Sequence, residues 1–307
     1  VELMREDTIQ LSQLIDMEKP NLVFDEVITI ISMMYPRFHF SPLTNVFEDV
    51  LLLFSGKYPG YRECVTGYHD LKHTTDALLA AVRLMHGAVL AGENLGAKNV
   101  ALGIISALLH DSGYIQDIDD QSGTGGKYTL THIERSIAFM DQYFRTHNFS
   151  RADFSRCSDI LHCTGLQTKL TEIRFQSNEI ELLGKILGAA DLLGQMADRT
   201  YLEKLPFLYK EYKEGGIDLY ADEIELLEKT IDFYAITGKR LNNELGGVHH
   251  HLVHHFKARW NIDSDLYAVA MERNIRYLKY VLSEHRKEYR KYFRLGGYIK
   301  RLEEGGR

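Results

Sequence analysis

The strongest constraint on this chain is a shortage: its 307 residues contain five prolines, at positions 20, 36, 42, 59 and 206, and alternating apolar–polar runs are scarce. Long stretches are left in which nothing forbids a helix, and apolar residues recur through them at helical spacing. An all-α fold is expected. Pro20-Asn21 precedes a helix reaching Met34, and Ser41-Pro42 opens a second that ends near Ser55-Gly56. Residues 70–91 carry apolar side chains at 71, 78, 79, 82 and 85 and read as a longer helix stopped by Gly92. An apolar run follows from Asn99 to Leu109. Thr131-His-Ile-Glu134 reads as a capping box for a helix to Arg145, Ser150-Arg-Ala-Asp153 opens the next, and another covers 177–197. Residues 201–220 are rich in Tyr, Lys and Glu; 222–245 and 264–294 read as long amphipathic helices. The expected organisation is a helical lead-in (1–62), a core (63–205) and a C-terminal helical extension (206–307) that packs on the core or forms a homodimer.

The apolar run ends abruptly in the adjacent pair His110-Asp111. A charged Asp almost never enters a core unpaired, so a cation is its natural partner. At a helix end followed by Ser112-Gly113 the backbone can turn so that both side chains reach one centre. His69 and His73 are four apart and share a helix face. His132, His162 and Asp191 follow on three further helices. The expected ligands are therefore His73, His110, Asp111, His132, His162 and Asp191, around two divalent ions bridged by Asp111. Fe or Mn is the first choice, with Mg, Zn or Ni as alternatives. Lys127, in the glycine-containing loop 116–128, is a candidate contact to phosphate. The tract His249-His250-His251 with His254-His255 is read as covering a helix face or an interface, and the basic residues 286–294 as the solvated side of an amphipathic helix.

The ordered pattern His…His-Asp…Asp resembles the HD-domain superfamily of metal-dependent phosphohydrolases, over roughly residues 64–205. Tyr68-His-Asp-Leu-Lys-His73 resembles the Tyr-His-Asn-x-x-His segment of class I cyclic nucleotide phosphodiesterases, which implies His69 as the acid that protonates the leaving group and His73 as a ligand. His132, His162 and the stretch 190–201 look more like the HD-GYP phosphodiesterases, implying a second metal position and Arg199 near substrate phosphate. Two departures are visible. Tyr114 stands where many HD enzymes have Lys, and no Gly-Tyr-Pro loop follows His162-Cys163-Thr164, which argues against cyclic-di-GMP. The resemblance implies an HD helical bundle that hydrolyses a cyclic or related nucleotide with a metal-activated hydroxide, His69 and Asp111 being the catalytic residues. The same ligand order resembles the mixed-valent di-iron oxygenases of the superfamily, and a non-catalytic HD module sensing nucleotide or metal is the third reading.

Composition narrows the partners. A formal charge of −7 argues against a nucleic-acid polymer, leaving a small phosphoester or nucleotide. Three cysteines without a CxxC pair point to a reducing, cytoplasmic setting. Arg83 and His86 interrupt the best candidate for a membrane span, and the N-terminus has no signal-peptide pattern, so no membrane partner is expected.

Overall fold

A computed structural model describes residues 9–304 of the protein. It is all-α; among the described residues there is no sheet, only the isolated bridges Ser55–Glu63 and Tyr61–Asp117. The lead-in comprises α1 (Leu11–Leu14), α2 (Pro20–Met34) and α3 (Ser41–Phe54), with proline in the first turn of both longer helices, where its missing N–H costs nothing. Then come α4 (Leu71–Leu90), α5 (Ala97–Leu109), α6 (His132–Thr146), α7 (Arg151–His162) and α8 (Asn178–Met196). The C-terminal part holds α9 (Tyr201–Glu214), α10 (Glu223–Lys239), α11 (Leu252–Trp260), α12 (Leu266–Glu284) and the short α13 (Tyr298–Glu303).

Helix α4 is the axis of the molecule. Every residue from His73 to Ala88 is buried, because α2, α5, α8 and α11 all pack on it. A helix enclosed on all sides needs apolar or small residues around its whole circumference, and Ala77, Ala80, Ala81 and Gly87 allow close approach. At Gly87 a side chain would collide with the backbone carbonyl of His251. Gly194 of α8 lies against the backbone of Ala77, where an added Cβ would stand 2.9 Å from its amide nitrogen. That contact sets the α4–α8 spacing one turn from Asp191.

Most buried apolar residues form one core between α2, α3, α4, α5, α7 and α8. A second apolar cluster joins α9, α10, α12 and α13 to Tyr68 and Met196. Two sequence expectations change. Thr131 makes no side-chain cap, so the box expected at α6 does not form, whereas Ser150 and Asp153 do exchange hydrogen bonds at the start of α7. The helix expected over 264–294 stops at Glu284; residues 286–291 form 3-10 turns broken at Glu288, so the basic residues do not share one long helix face. Residues 201–214 are helical despite Pro206. No helix among the described residues is long and apolar enough to cross a membrane, and Cys64, Cys157 and Cys163 are free.

Candidate metal centre

Three local devices aim side chains at one point. Asp70 caps α4, its carboxylate accepting the His73 amide (2.9 Å) and the Lys204 ammonium (2.9 Å), which fixes the first turn that carries His73. Helix α5 ends at His110, and Asp111 (φ −107°, ψ 9°) leads into the 3-10 turn Ser112–Tyr114, so two adjacent residues face the same space. Gly113 makes that turn fit: a Cβ there would lie 1.9 Å from the carbonyl oxygen of His132. Ser136 Oγ accepts the Gly113 amide and donates to the His110 carbonyl, tying the turn to α6. Asp191 is brought in by the close α4–α8 contact.

His73 Nε2, His110 Nε2 and an Asp111 oxygen are buried together, and groups on these residues lie within 4.8 Å of one another. The two Nε2 atoms are 3.2 Å apart. Asp111 Oδ2 stands 3.1 Å from His73 Nε2 and 3.3 Å from His110 Nε2. Asp191 Oδ1 lies outside this tightest group, yet is 3.1 Å from His73 Nε2 and 3.7 Å from His110 Nε2. Ligands bound at about 2.0–2.2 Å stand roughly 3–3.5 Å from one another, so the spacing suits a single ion. His110 donates Nδ1–H to the Ala107 carbonyl (2.8 Å), which leaves Nε2 to face the centre. His73 Nδ1 and Asp111 Oδ2 have no hydrogen-bond partner although both are buried. This His73, His110 and Asp111 group could hold a metal ion.

The electrostatics are those of a cation site. Burial by itself disfavours a charged imidazole, yet the adjacent carboxylates of Asp111 and Asp191 outweigh it and lift His73 to about 9; Asp111 likewise lifts His110 well above its ordinary value. Both carboxyls are held well below the usual range against their own burial. Two imidazoles and two carboxylates thus share positive charge, which protons or a metal can supply. Gln195 donates to Asp191 Oδ1 (2.7 Å) and accepts from the Tyr68 hydroxyl (2.8 Å), holding that carboxylate in place.

His69 lies beside this group, its ring centroid 5.7 Å from that of His73. Its Nδ1–H donates to Glu211 Oε2 at 2.6 Å, while Glu211 Oε1 accepts the Tyr68 amide. Tyr114 is buried and packs on two imidazoles, His69 (4.2 Å, 9°) and His132 (4.6 Å, 22°), which also pack on each other at 6.3 Å. The three rings form one packed cluster beside the centre. His132 donates Nδ1–H to the Thr129 carbonyl, and burial lowers its proton affinity, favouring a neutral ring with Nε2 free.

The remaining candidates are placed differently. His162 donates Nδ1–H to the Ser158 carbonyl and sets Nε2 3.5 Å from Glu134, half-exposed and outside the His73 group. Such a bond is no signature of a ligand, since His147 makes the same one to Tyr143. Lys127 is bound within its own loop, to Asp120 (2.6 Å) and to the carbonyl and hydroxyl of Ser122. Arg199 is exposed and lines a cleft bordered by none of the six expected ligands. Sequence reasoning missed Glu211 and Gln195. Gln195 carried a signal, its i+4 spacing from Asp191, whereas nothing local tied Glu211 to a histidine 142 positions away.

In comparison with known proteins, a family model described as Npun_R2479-like matches residues 18–237, well over half of the chain. No curated protein and no solved structure matches it.

Proposed function

The chain belongs to the Npun_R2479-like family, and we propose that it is a metal-dependent phosphohydrolase of the HD type, acting on a phosphodiester such as a cyclic or related nucleotide. The observation that carries this reading is the pair of imidazole Nε2 atoms 3.2 Å apart with Asp111 and Asp191 oxygens beside them, next to a histidine oriented by a carboxylate. His73, His110, Asp111 and Asp191 would hold the first ion. Asp111 shared with His132 and His162 would hold a second, which requires His162 to exchange Glu134 for metal. Fe or Mn suits this mixed imidazole–carboxylate set. When bound, the metal supplies a water acidic enough to be hydroxide near neutral pH and neutralises charge on phosphate oxygens.

The chain's own residues do the rest. Glu211 holds the Nδ1–H of His69, so that a proton on Nε2 is directed away from Glu211 toward the departing oxygen. Tyr114 excludes water from the face it covers and keeps the His69 ring from tilting. Gln195 keeps Asp191 in its binding rotamer. A reducing, cytoplasmic setting accompanies this reading.

The test is metal analysis of anaerobically purified protein followed by a phosphodiester panel with Mn or Fe. Bound metal and release of a phosphomonoester are expected. A metal-loaded protein inert across the panel would sink the proposal, and oxygen consumption by the iron-loaded form would replace it with oxygenase chemistry.

A further inference from the structure

A cleft of about 670 Å³ opens on the side of α4 where Lys72 rather than His73 points, a volume typical of small-ligand sites. It is walled by α1 and the turn after it, the C-terminal end of α8, one face of α12 and residues 292–295. None of the His or Asp residues of the metal centre lines it. A separate void of about 10 Å³, bordered by His73, lies between the two and shares Gly194 and Asp198 with the cleft.

The charges in its wall divide into committed and uncommitted. Lys72 is held by Asp76 (2.5 Å) and Asp198 (3.2 Å), and Arg294 by Glu303 (3.0 Å). Asp16 pairs with Lys19, Asp198 also accepts the Thr200 amide and hydroxyl, and Glu203 accepts the amides of Gly296 and Tyr298. Arg199 and Arg273 make no ion pair among the described residues, although the charge of Arg199 helps to lower the neighbouring Asp16, and Glu18 is the one wall acid without an ion pair there. Guanidinium groups stay charged at any ordinary pH and offer several donors in a fixed fork, the geometry that a phosphate dianion accepts.

The wall beside Arg273 is aromatic, with Tyr277 one turn along the same helix α12. Tyr277 is fixed by donating its hydroxyl to the Tyr292 carbonyl (2.9 Å), and Tyr292 is stacked on His285 (3.9 Å, 11°), so these rings form a rigid surface. Asn274 donates its amide hydrogens to the carbonyls of Met196 and Asp198, which fixes the amide orientation and leaves its oxygen as an acceptor. Two guanidiniums that make no ion pair among the described residues, an aromatic wall and an amide oxygen are the complement of a phosphate joined to a planar amino-bearing ring. We infer that this cleft is a second ligand site, distinct from the metal centre, that takes a nucleoside monophosphate through Arg199, Arg273 and the Tyr277–Tyr292 wall.

The test is calorimetric titration of the full chain in EDTA, with AMP, adenosine and inorganic phosphate as separate probes. Saturable AMP binding is expected without metal, with adenosine and phosphate each at least about tenfold weaker. Arg199→Ala and Arg273→Ala should each weaken AMP at least about tenfold with unchanged circular dichroism, and Arg199→Lys should recover part of the loss. Asp111→Asn should bind AMP as the unsubstituted protein does. The inference is overturned if AMP does not bind, if Asp111→Asn abolishes binding, if phosphate alone binds as tightly, or if the double arginine variant binds unchanged. Because every arm is run without metal and reads binding alone, failure of the phosphohydrolase reading leaves this result intact, and the reverse.

Discussion

Helix α4 carries a buried imidazole pair near each end, and the two pairs have opposite characters. Near its start His73 meets His110, Nε2 to Nε2 at 3.2 Å, with two carboxylates alongside. Near its end His86 meets His255, Nδ1 to Nδ1 at 2.9 Å, with the guanidinium of Arg83 close by. Burial disfavours the charged imidazole in both places. At the first, Asp111 and Asp191 reverse it and His73 rises to about 9; at the second, burial and the Arg83 charge act together and His255 falls to about 2. Two neutral rings sharing one proton make a stable core contact, while the carboxylates turn the other pair into a site that demands a cation. A histidine tract in a sequence therefore says little until the acids around it are known.

The sharpest way to break this comparison is to remove the acid. Asp111→Ala should lower bound metal and any phosphodiester turnover by more than about 100-fold, the upper end for residues that merely support a ligand. His255→Ala should leave metal content unchanged. Metal analysis of the two variants side by side decides it; equal metal in both would mean that the carboxylate is not what distinguishes the pairs.

The next effect concerns the carboxylate that reaches the first pair from outside. Glu211→Gln should leave metal content intact yet lower turnover by about 100-fold, within the range for general acid–base groups, and displace the alkaline limb of the pH–rate profile. Glu211→Asp should recover part of the rate. An unchanged profile with reduced rate would reduce Glu211 to a packing residue for Tyr68.

The contrast also explains what was legible. The helical class could be read because proline is rare and apolar spacing regular, and the first pair was visible because an Asp directly after an apolar run has few fates besides binding a cation. The second pair was not visible: His255 lies in a tract that resembles a solvated or metal-binding cluster, and only the packing of α11 on α4 buries it. Glu211 was hidden for a related reason, since its carboxylate meets His69, 142 positions away, only through tertiary packing. The role of Tyr114 was half legible. The departure from lysine was plain, but its packing against two imidazoles follows from the Gly113 turn.

The two pairs should give stability slopes of opposite sign in metal-free protein. His86 and His255 bind protons less well folded than unfolded, so their contribution is full above about pH 6.5 and lost as pH falls, by about 1.4 kcal/mol per pH unit for each proton. His73 binds its proton more tightly folded, so its contribution is full below about pH 6.5 and lost as pH rises toward 9. Asp76, which burial raises to about 7, loses stability with rising pH between about 4 and 7, so differences between variants are the clean readout. Urea denaturation in EDTA should show His86→Gln/His255→Gln losing about 2 kcal/mol less than the parent between pH 6.5 and 5. Added Mn should remove the decline above pH 6.5 by displacing the protons. Identical acid limbs in parent and variant would show that the second pair already binds a proton when folded.

The smallest effect isolates the charge beside the second pair. Arg83 is fully buried, donates to the Tyr267 hydroxyl at 3.1 Å, and leaves Nε and Nη2 without partners. Its other support among the described residues is aromatic, with Phe256 and Tyr267 ring centroids 5.5 and 5.7 Å away. A buried cation without a carboxylate keeps most of its desolvation cost, so Arg83→Met, which preserves the packed stem, should stabilise the protein by about 1 kcal/mol, or about 2 °C in Tm. It should also raise the proton affinity of His255 and so shallow the acid limb just described. Destabilisation with a steeper acid limb would mean that the guanidinium organises the second pair as the carboxylates organise the first.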